Sequence, residues 1–368
     1  MWHYPTSMLA KTLTWIVIAI VLAAGAAGAG FVGGYEYRGS PPSSVANSTL
    51  SILAAGSLSA QFPQIAGVLV NETPGISAPT VTQTYEGSLD VVNAITQTGA
   101  KADVAAVADF RLIPQVLEPK YAGYEIAFGM TPEVLAYDPN VTAFDGINSS
   151  NWGWKLVQAV TTSGDPPFGV WNASTDPNGY NEIFSMELQG EFYNGSDLAV
   201  FGHFYTGSPT SLAVPNPTTT RAEHESQAAE LIDTGVVSAV ITYRSYAVAN
   251  HLHFVSFNST VGLNATSPAA LADYRDLTTT IETASGGTAS VGAAPVVFAV
   301  TVPSDAPNPE LGAAFVHLLL SPQGEAILSA GGAFTSIFPG WADRPSAVPS
   351  LLAPDVVPMP AWASAELT

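Results

Sequence analysis

From Thr49 onward, short β-branched and aliphatic runs alternate with longer amphipathic ones, and this alternation most constrains what the chain can fold into. Strands are expected at Thr49–Ala54, Thr80–Tyr85, Val104–Ala106, Glu133–Tyr137, Val237–Thr242 and Pro295–Val302. Helices are expected at Ser59–Val70, Leu89–Thr98, Gly179–Phe192, Glu223–Thr234, Pro268–Thr283 and Asn308–Leu320. Such a βαβα rhythm predicts an α/β fold with open, mostly parallel sheets and sites at strand C-termini. The segment from Pro339 onward is rich in Pro and Ala and is expected to wrap the surface or be partly disordered.

Within this rhythm, Leu53-Ala54-Ala55-Gly56-Ser57-Leu58-Ser59 reads as a buried strand that breaks at a glycine and enters a helix through a serine. The unpaired N–H groups at such a helix start, together with the helix dipole, favour an anion. Three further segments share the character. Glu86-Gly87-Ser88 again hands a strand over to a helix. Asp176-Pro177-Asn178-Gly179-Tyr180 is a turn into a helix with one charged side chain, and Tyr243-Arg244-Ser245-Tyr246 follows an apolar strand. Each is an ordinary cap or turn taken singly; their joint placement at strand ends makes them candidate ligand contacts.

Composition narrows the ligand and the compartment. Thirty Asp and Glu against ten Lys and Arg give a formal charge of -20, which argues against nucleic acid and against docking on an anionic membrane surface. An anion captured here must be held by local dipoles. The absence of cysteine removes disulfides, thiolate zinc sites, iron–sulfur clusters and a lipid-anchored cysteine.

The uncharged apolar run from Leu13 to Gly34 follows Lys11 and precedes Glu36 and Arg38. At about 1.5 Å per residue it is long enough to span a bilayer core. The small residues Ala23-Ala24-Gly25-Ala26-Ala27 equally suit a cleaved signal peptide. Residues 1–38 are therefore read as an anchor or a signal, residues 39–48 as a linker, and the remainder as extracellular, either membrane-anchored or secreted. Asn-x-Ser/Thr triplets at Asn47, Asn71, Asn140, Asn148, Asn172, Asn194, Asn258 and Asn264 fit a glycosylated exterior.

Two other function classes compete. A secreted hydrolase has Asp, Glu and Ser available, but the sequence contains no Gly-x-Ser-x-Gly elbow and its histidines are scattered. His251 and His253 have a spacing that can bind metal on a strand, without an evident third ligand. A purely structural surface protein would explain the sequons but not the Gly-Ser corners. No catalytic residue is expected.

Six segments carry a family resemblance: Ala54-Ala55-Gly56-Ser57-Leu58, Lys101 to Asp109, Val134-Leu135-Ala136-Tyr137, Ile147 to Trp152, Asp176 to Tyr180, and Pro295 to Pro303. In order and spacing they resemble the archaeal tungstate/molybdate-binding proteins of ABC importers, from about Leu50 to Phe338. Ser321-Pro322-Gln323-Gly324-Glu325 after an apolar helix is similar to a segment common among extracellular solute-binding proteins.

The resemblance implies a two-lobed periplasmic-binding-protein-like fold of type II. Lobe 1 would hold residues 49–129 and 300–340, lobe 2 residues 130–299, and the tail residues 341–368. It implies no cofactor, a permease partner, a monomer, and hinge closure over a tungstate or molybdate ligand. Gly56, Ser57 and Ser88 would supply donors from one lobe; Asp176, Pro177, Asn178, Glu225 and Tyr243 would act from the other, with Glu223 as the competing register for Glu225. Asp176 and Glu225 would bond the tungsten or molybdenum centre itself, expanding it from four- toward six-coordination. Sulfate and phosphate cannot expand in that way and would be rejected; another oxyanion remains the alternative ligand. Val107, Asn181 and Thr131-Pro132 depart from the family pattern, which more often has a serine, an arginine and a more polar pair.

Overall fold

The computed structural model describes residues 48–71, 79–161, 167–192, 200–206, 214–215, 219–283 and 286–367. The apolar run, nearly all of the linker, and the sequons at Asn47 and Asn194 lie outside them.

The chain enters with β1 (Thr49–Ala55), a single 3-10 turn (Gly56–Leu58) and the helix Phe62–Asn71. It continues through β2 (Thr80–Glu86), the helix Ser88–Asn93 and β3 (Val104–Val107) to β4 (Ile126–Met130). Only Thr131 and Pro132 separate β4 from β5 (Glu133–Tyr137), which belongs to a different sheet. There follow β6 (Phe168–Trp171), the helix Pro177–Phe192, a short hairpin of β7 (Tyr205–Thr206) and β8 (Val214–Pro215), β9 (Thr219–Ala222), β10 (Ala239–Tyr243) and β11 (Phe254–Ser256). A second hairpin, β12 (Thr278–Glu282) and β13 (Thr288–Gly292), precedes the return through β14 (Val297–Thr301), β15 (Thr335–Ala342) and β16 (Val356–Pro358).

Two sheets result. One has seven strands in the order β16-β15-β4-β14-β3-β1-β2, the other five in the order β11-β5-β10-β6-β9. Each is the centre of a lobe, and the chain passes between them at Thr131–Pro132 and at 293–296. In the first sheet β1 runs parallel to β2 and β3, and β14 lies antiparallel to β3 and β4. In the second, β10 and β9 run parallel to β6, while β5 is antiparallel to β10 and β11.

The central strands are apolar throughout because both faces are covered. Leu50, Ile52 and Ala54 of β1 join the cluster of Phe62, Ile65, Phe298 and Phe315, whereas Leu53 joins Val91, Val92 and Ile95. Alternate residues of β3 divide in the same way, Val104 and Ala106 to the first cluster and Ala105 and Val107 to the second. Val107, at a position where a serine is usual in the resembling family, is thus a core residue.

Two expectations need correction or completion. The helix expected over Pro268–Thr283 stops at Arg275 and the chain turns into a strand, Thr278–Glu282, paired antiparallel with Thr288–Gly292. Ser267 caps the helix start, and the β-branched run Thr278-Thr279-Thr280-Ile281 favours the pleated surface over a further helical turn. The tail beyond Pro339 is built into the fold. Gly340–Ala342 pairs with Val356–Pro358, and Leu352 and Ala363 are fully buried. The outermost position suits a strand ending in proline, since an edge can lack a ladder N–H without loss.

Candidate functional site

Parallel pairing places the two Gly-Ser corners side by side. In the β1–β2 register Ala55 lies opposite Glu86, so Gly56-Ser57 and Gly87-Ser88 leave the sheet together at the strand C-termini. Ser57 and Ser88 are buried, and the Ser88 hydroxyl accepts a hydrogen bond from the Ala108 N–H at 2.8 Å. Ser88 begins its helix as expected, whereas Gly56-Ser57-Leu58 forms a separate 3-10 turn four residues ahead of the longer helix.

The second lobe repeats the device with different side chains. β6 and β9 run parallel with Trp171 opposite Ala222, which brings the loop ending in Asp176 beside the loop ending in Glu225. One Asp176 carboxylate oxygen accepts from the Asn178 N–H at 3.0 Å, and the other accepts from the Glu225 N–H at 2.9 Å. Glu225 Oε1 accepts from the Tyr243 N–H at 2.7 Å and from the Thr242 hydroxyl. Both carboxylates are thereby fixed by backbone at the ends of three strands. Glu223, the competing register, is exposed and accepts from the Asn172 side chain at 2.6 Å. Pro177 opens the helix Pro177–Phe192, and its missing N–H costs nothing there. Tyr243 is fully buried, and its hydroxyl accepts from Asn181 Nδ2 at 3.2 Å.

The two walls meet. The Ser57 hydroxyl stands close enough to the Glu225 carboxylate to favour its ionised form, and the Leu89 N–H donates to the Thr175 carbonyl at 3.1 Å. A Cβ on Gly87 would lie 2.1 Å from that same carbonyl oxygen, and one on Gly56 would lie 3.1 Å from Ser226 Cβ. Glycine is required at the first position by closeness of backbone across the cleft. The structure is therefore that of a closed cleft, and it brings together Gly56, Ser57, Ser88, Asp176, Asn178, Glu225 and Tyr243.

The electrostatics of this space are unusual for an anion site. Burial pushes Glu225 well above the ordinary carboxylate range, and neighbouring Asp176 adds to the effect. Burial also raises Asp176, against the two N–H bonds it accepts. Two further buried acids lie behind them. Glu133 is raised by burial and then by Glu225, Glu182 and Asp176. Glu182 is raised by burial, although the Tyr205 hydroxyl and the Trp171 N–H hydrogen-bond it. Asn178 is fully buried, and neither its Oδ1 nor its Nδ2 has a partner in the protein. Buried amides are nearly always paired, so this side chain marks a place where a ligand oxygen or water belongs.

Sequence reasoning overlooked Glu133, Glu182 and Thr242, took Asn181 only as a departure from the family pattern, and gave no role to Asp109 although it closes one of the family-like segments. Glu133 opens an apolar strand, a position where an acid normally faces water; only the crossing that buries it makes it informative. Of the tryptophans, Trp152 stacks on Phe257 at 4.2 Å and Trp171 donates to the Ile241 carbonyl, while Trp154 is exposed. His251 and His253 line a surface hollow of about 320 Å³ with Asp138 and Asp233. Among the described residues no group of three or more His, Asp or Glu is placed to hold a metal ion.

Residues 50–333 match the bacterial extracellular solute-binding protein family. A solute-binding protein of Methanoculleus marisnigri is 30% identical over 321 residues, covering 82% of this chain and 86% of its own. The molybdate/tungstate-binding protein WtpA of Pyrococcus abyssi is 28% identical, covering 76% and 82%. Among solved structures, the periplasmic molybdate-binding protein of Azotobacter vinelandii aligns with a TM-score of 0.53 at 13% identity over 78% of this chain and 98% of its own. The sulfate-binding protein SubI of Mycobacterium tuberculosis aligns at 0.51 and 12% identity over 87% and 96%. Both alignments carry the two-lobed type II architecture. The chain belongs to the bacterial extracellular solute-binding protein family and is a binding protein, not an enzyme.

Proposed function

We propose that the protein captures tungstate or molybdate outside the cytoplasm, closes its two lobes over the oxyanion and presents the closed form to an ABC permease. The observation that carries the reading is the pairing of neutral donors on one wall with two backbone-fixed carboxylates on the other, around the unpartnered Asn178 amide. Gly56, Ser57 and Ser88 would donate to oxo groups, and Asn178 Nδ2 would do so from the second lobe. Tyr243 supplies the N–H that fixes Glu225, and Pro177 sets the start of the helix that carries Asn178.

Two carboxylates beside a dianion would repel it strongly in a dry cleft. Direct bonds from Asp176 and Glu225 to a hard, high-valent metal centre remove that conflict. Tungsten and molybdenum can expand their coordination shell to take both oxygens; sulfur and phosphorus as sulfate and phosphate cannot. The same acids that recruit one class of oxyanion therefore exclude the other. The names of the Pyrococcus and Azotobacter relatives agree with this ligand class.

The apolar run before the linker would hold the protein at the cell surface or direct its secretion, with the lobes working as a monomer. Asn140 and Asn148 are exposed and are the sequons best placed for glycosylation; Asn172, Asn258 and Asn264 are half-buried. Mass spectrometry before and after glycosidase treatment tests that assignment.

Titration of the purified protein with tungstate, molybdate, sulfate and phosphate, read by calorimetry and thermal shift, tests the function. Ligand at 100 times its Kd stabilises by about 2.7 kcal/mol. A shift with tungstate or molybdate alone is expected, and an equal shift with sulfate, or none with any oxyanion, would overturn the reading.

A further inference from the structure

The helix Pro177–Phe192 carries a second device one turn beyond Asp176 and Asn178. The Tyr180 hydroxyl donates a 2.7 Å hydrogen bond to Asp109 Oδ2. Tyr180 is built on the five-stranded lobe; Asp109 follows β3 of the seven-stranded lobe. The bond thus crosses the cleft, and both residues are buried, at 1% and 7% exposure. We propose that Tyr180 and Asp109 form a latch between the lobes that sets how long the bound oxyanion stays, with Arg111 holding the acceptor in place.

Asp109 is organised for this role before Tyr180 arrives. Arg111 Nε contacts both carboxylate oxygens, at 2.9 and 3.2 Å, Nη2 reaches Oδ2 at 2.7 Å, and the Arg111 N–H adds a bond of 3.0 Å. The remaining guanidinium nitrogen, Nη1, donates to the Gly292 carbonyl at 2.8 Å. Gly292 ends β13, directly before the chain crosses back to the first lobe at 293–296. The acceptor is thereby tied to its own lobe and to the crossing segment, while Tyr180 rides on the helix that bears the ligand-facing residues. Burial would raise the Asp109 carboxyl, but the Arg111 contacts hold it below its ordinary value, so it remains an ionised acceptor. Hydrogen bonds to an ionised acceptor are roughly twice as strong as neutral ones.

Two other contacts across the cleft are of different quality. Leu89 to Thr175 joins two neutral backbone groups, and His224 stands 3.7 Å from Asp90 with both side chains about a third exposed, where water and salt screen the pair. The Tyr180–Asp109 bond is buried, charge-assisted and set on the helix that binds the ligand. Seating the oxyanion at Asp176 positions Tyr180, and engagement of Tyr180 resists reopening. Tyr180 is a positioning residue; it does not touch the ligand in this scheme. The proposal rests on oxyanion capture only for its ligand readout.

Tyr180→Phe removes the hydroxyl and keeps the ring. Stopped-flow measurement with tungstate should show dissociation about tenfold or more faster, an association rate within about twofold of wild type, and an unchanged preference for tungstate over sulfate. Small-angle scattering of the ligand-free protein should show a larger open fraction in the variant. Unchanged dissociation, or an equal loss of association and selectivity as a misshapen site would give, overturns the latch. Failure of wild type to bind tungstate would instead sink the proposed function. The latch then stands or falls on scattering, where identical profiles for wild type and Tyr180→Phe contradict it.

Discussion

The wall built on the seven-stranded sheet and the wall built on the five-stranded sheet face each other with opposite chemistry. Gly56, Ser57 and Ser88 offer small neutral donors at the ends of adjacent parallel strands. Asp176 and Glu225 occupy the equivalent strand ends opposite them as buried acids, each held by backbone N–H groups. Topologically the two walls are alike, since both use parallel strands to bring two loops together. In the proposed function the side chains divide the labour: one wall would accept any oxyanion small enough to fit, and the other would decide which central atom is tolerated. Selectivity and affinity should therefore separate on mutation.

The largest effect should come from the acidic wall. Asp176→Asn or Glu225→Gln would remove one of the two proposed anionic ligands to the metal centre with little change of volume. A bond of this kind should exceed the roughly 3 kcal/mol of a charged hydrogen bond, so tungstate affinity should fall by more than about 100-fold. Competition calorimetry should show sulfate affinity unchanged or improved. Parallel losses for both anions would break the division between the walls.

Gly87→Ala probes closure without touching the chemistry. Its Cβ would stand 2.1 Å from the Thr175 carbonyl, a backbone clash costing about 1–3 kcal/mol. Roughly tenfold weaker binding of tungstate and molybdate alike is expected, with the ligand-free Tm unchanged. Ser88→Ala should act more gently. Loss of one neutral hydroxyl costs about 0.5–1.5 kcal/mol, and the Ala108 N–H loses its acceptor as well. A reduction of about fivefold, equal for tungstate and molybdate, would fit a wall without elemental preference.

The smallest signature is a pH dependence of stability. Glu133, Glu182, Glu225 and Asp176 have folded-state pKa values raised by burial. The stability they contribute is fully present below the unfolded values of about 4, and is lost as pH rises through the folded values. Asp109 has the opposite sign. Its folded value is lowered, so its contribution is present above its unfolded value and is lost as pH falls through the lowered one. Glu125 is raised by burial in the same way, and the Asp109 contribution is lost only at lower pH, so the ligand-free Tm should decline by a few degrees from about pH 5 to about pH 8. Tungstate, which needs the ionised acids, should flatten the decline and release protons on binding. A ligand-free Tm that rises over this range would contradict the buried-acid account.

The sequence disclosed the two walls unequally for a physical reason. Gly-Ser corners are local objects, written by the turn and cap chemistry of Leu53–Ser59 and Glu86–Ser88, and their placement on neighbouring strands followed once the βαβα rhythm was read. Asp176 was legible as the one charged side chain of a turn into a helix, whereas Glu225 looks locally like any solvated acid and entered through the family resemblance, as did the bonding role of both. Their geometry depends on the register of β6 against β9 and of Glu225 against β10. Glu133 was passed over although the resemblance put a lobe boundary at residues 129–130, because an acid opening an apolar strand reads locally as a solvated one. The Asp109–Arg111 pair is local in sequence, but its partner Tyr180 lies 71 positions away. The misassigned end of Pro268–Thr283 came from reading helix where three threonines and an isoleucine favoured a strand.

Asp176 and Glu225 are proposed to bond the captured metal centre itself. X-ray absorption at the tungsten edge of the loaded protein tests it most directly. A shell of six oxygens is expected, falling in Asp176→Asn and in Glu225→Gln. A four-coordinate tetrahedral shell in the wild type, indistinguishable from free tungstate, would contradict it.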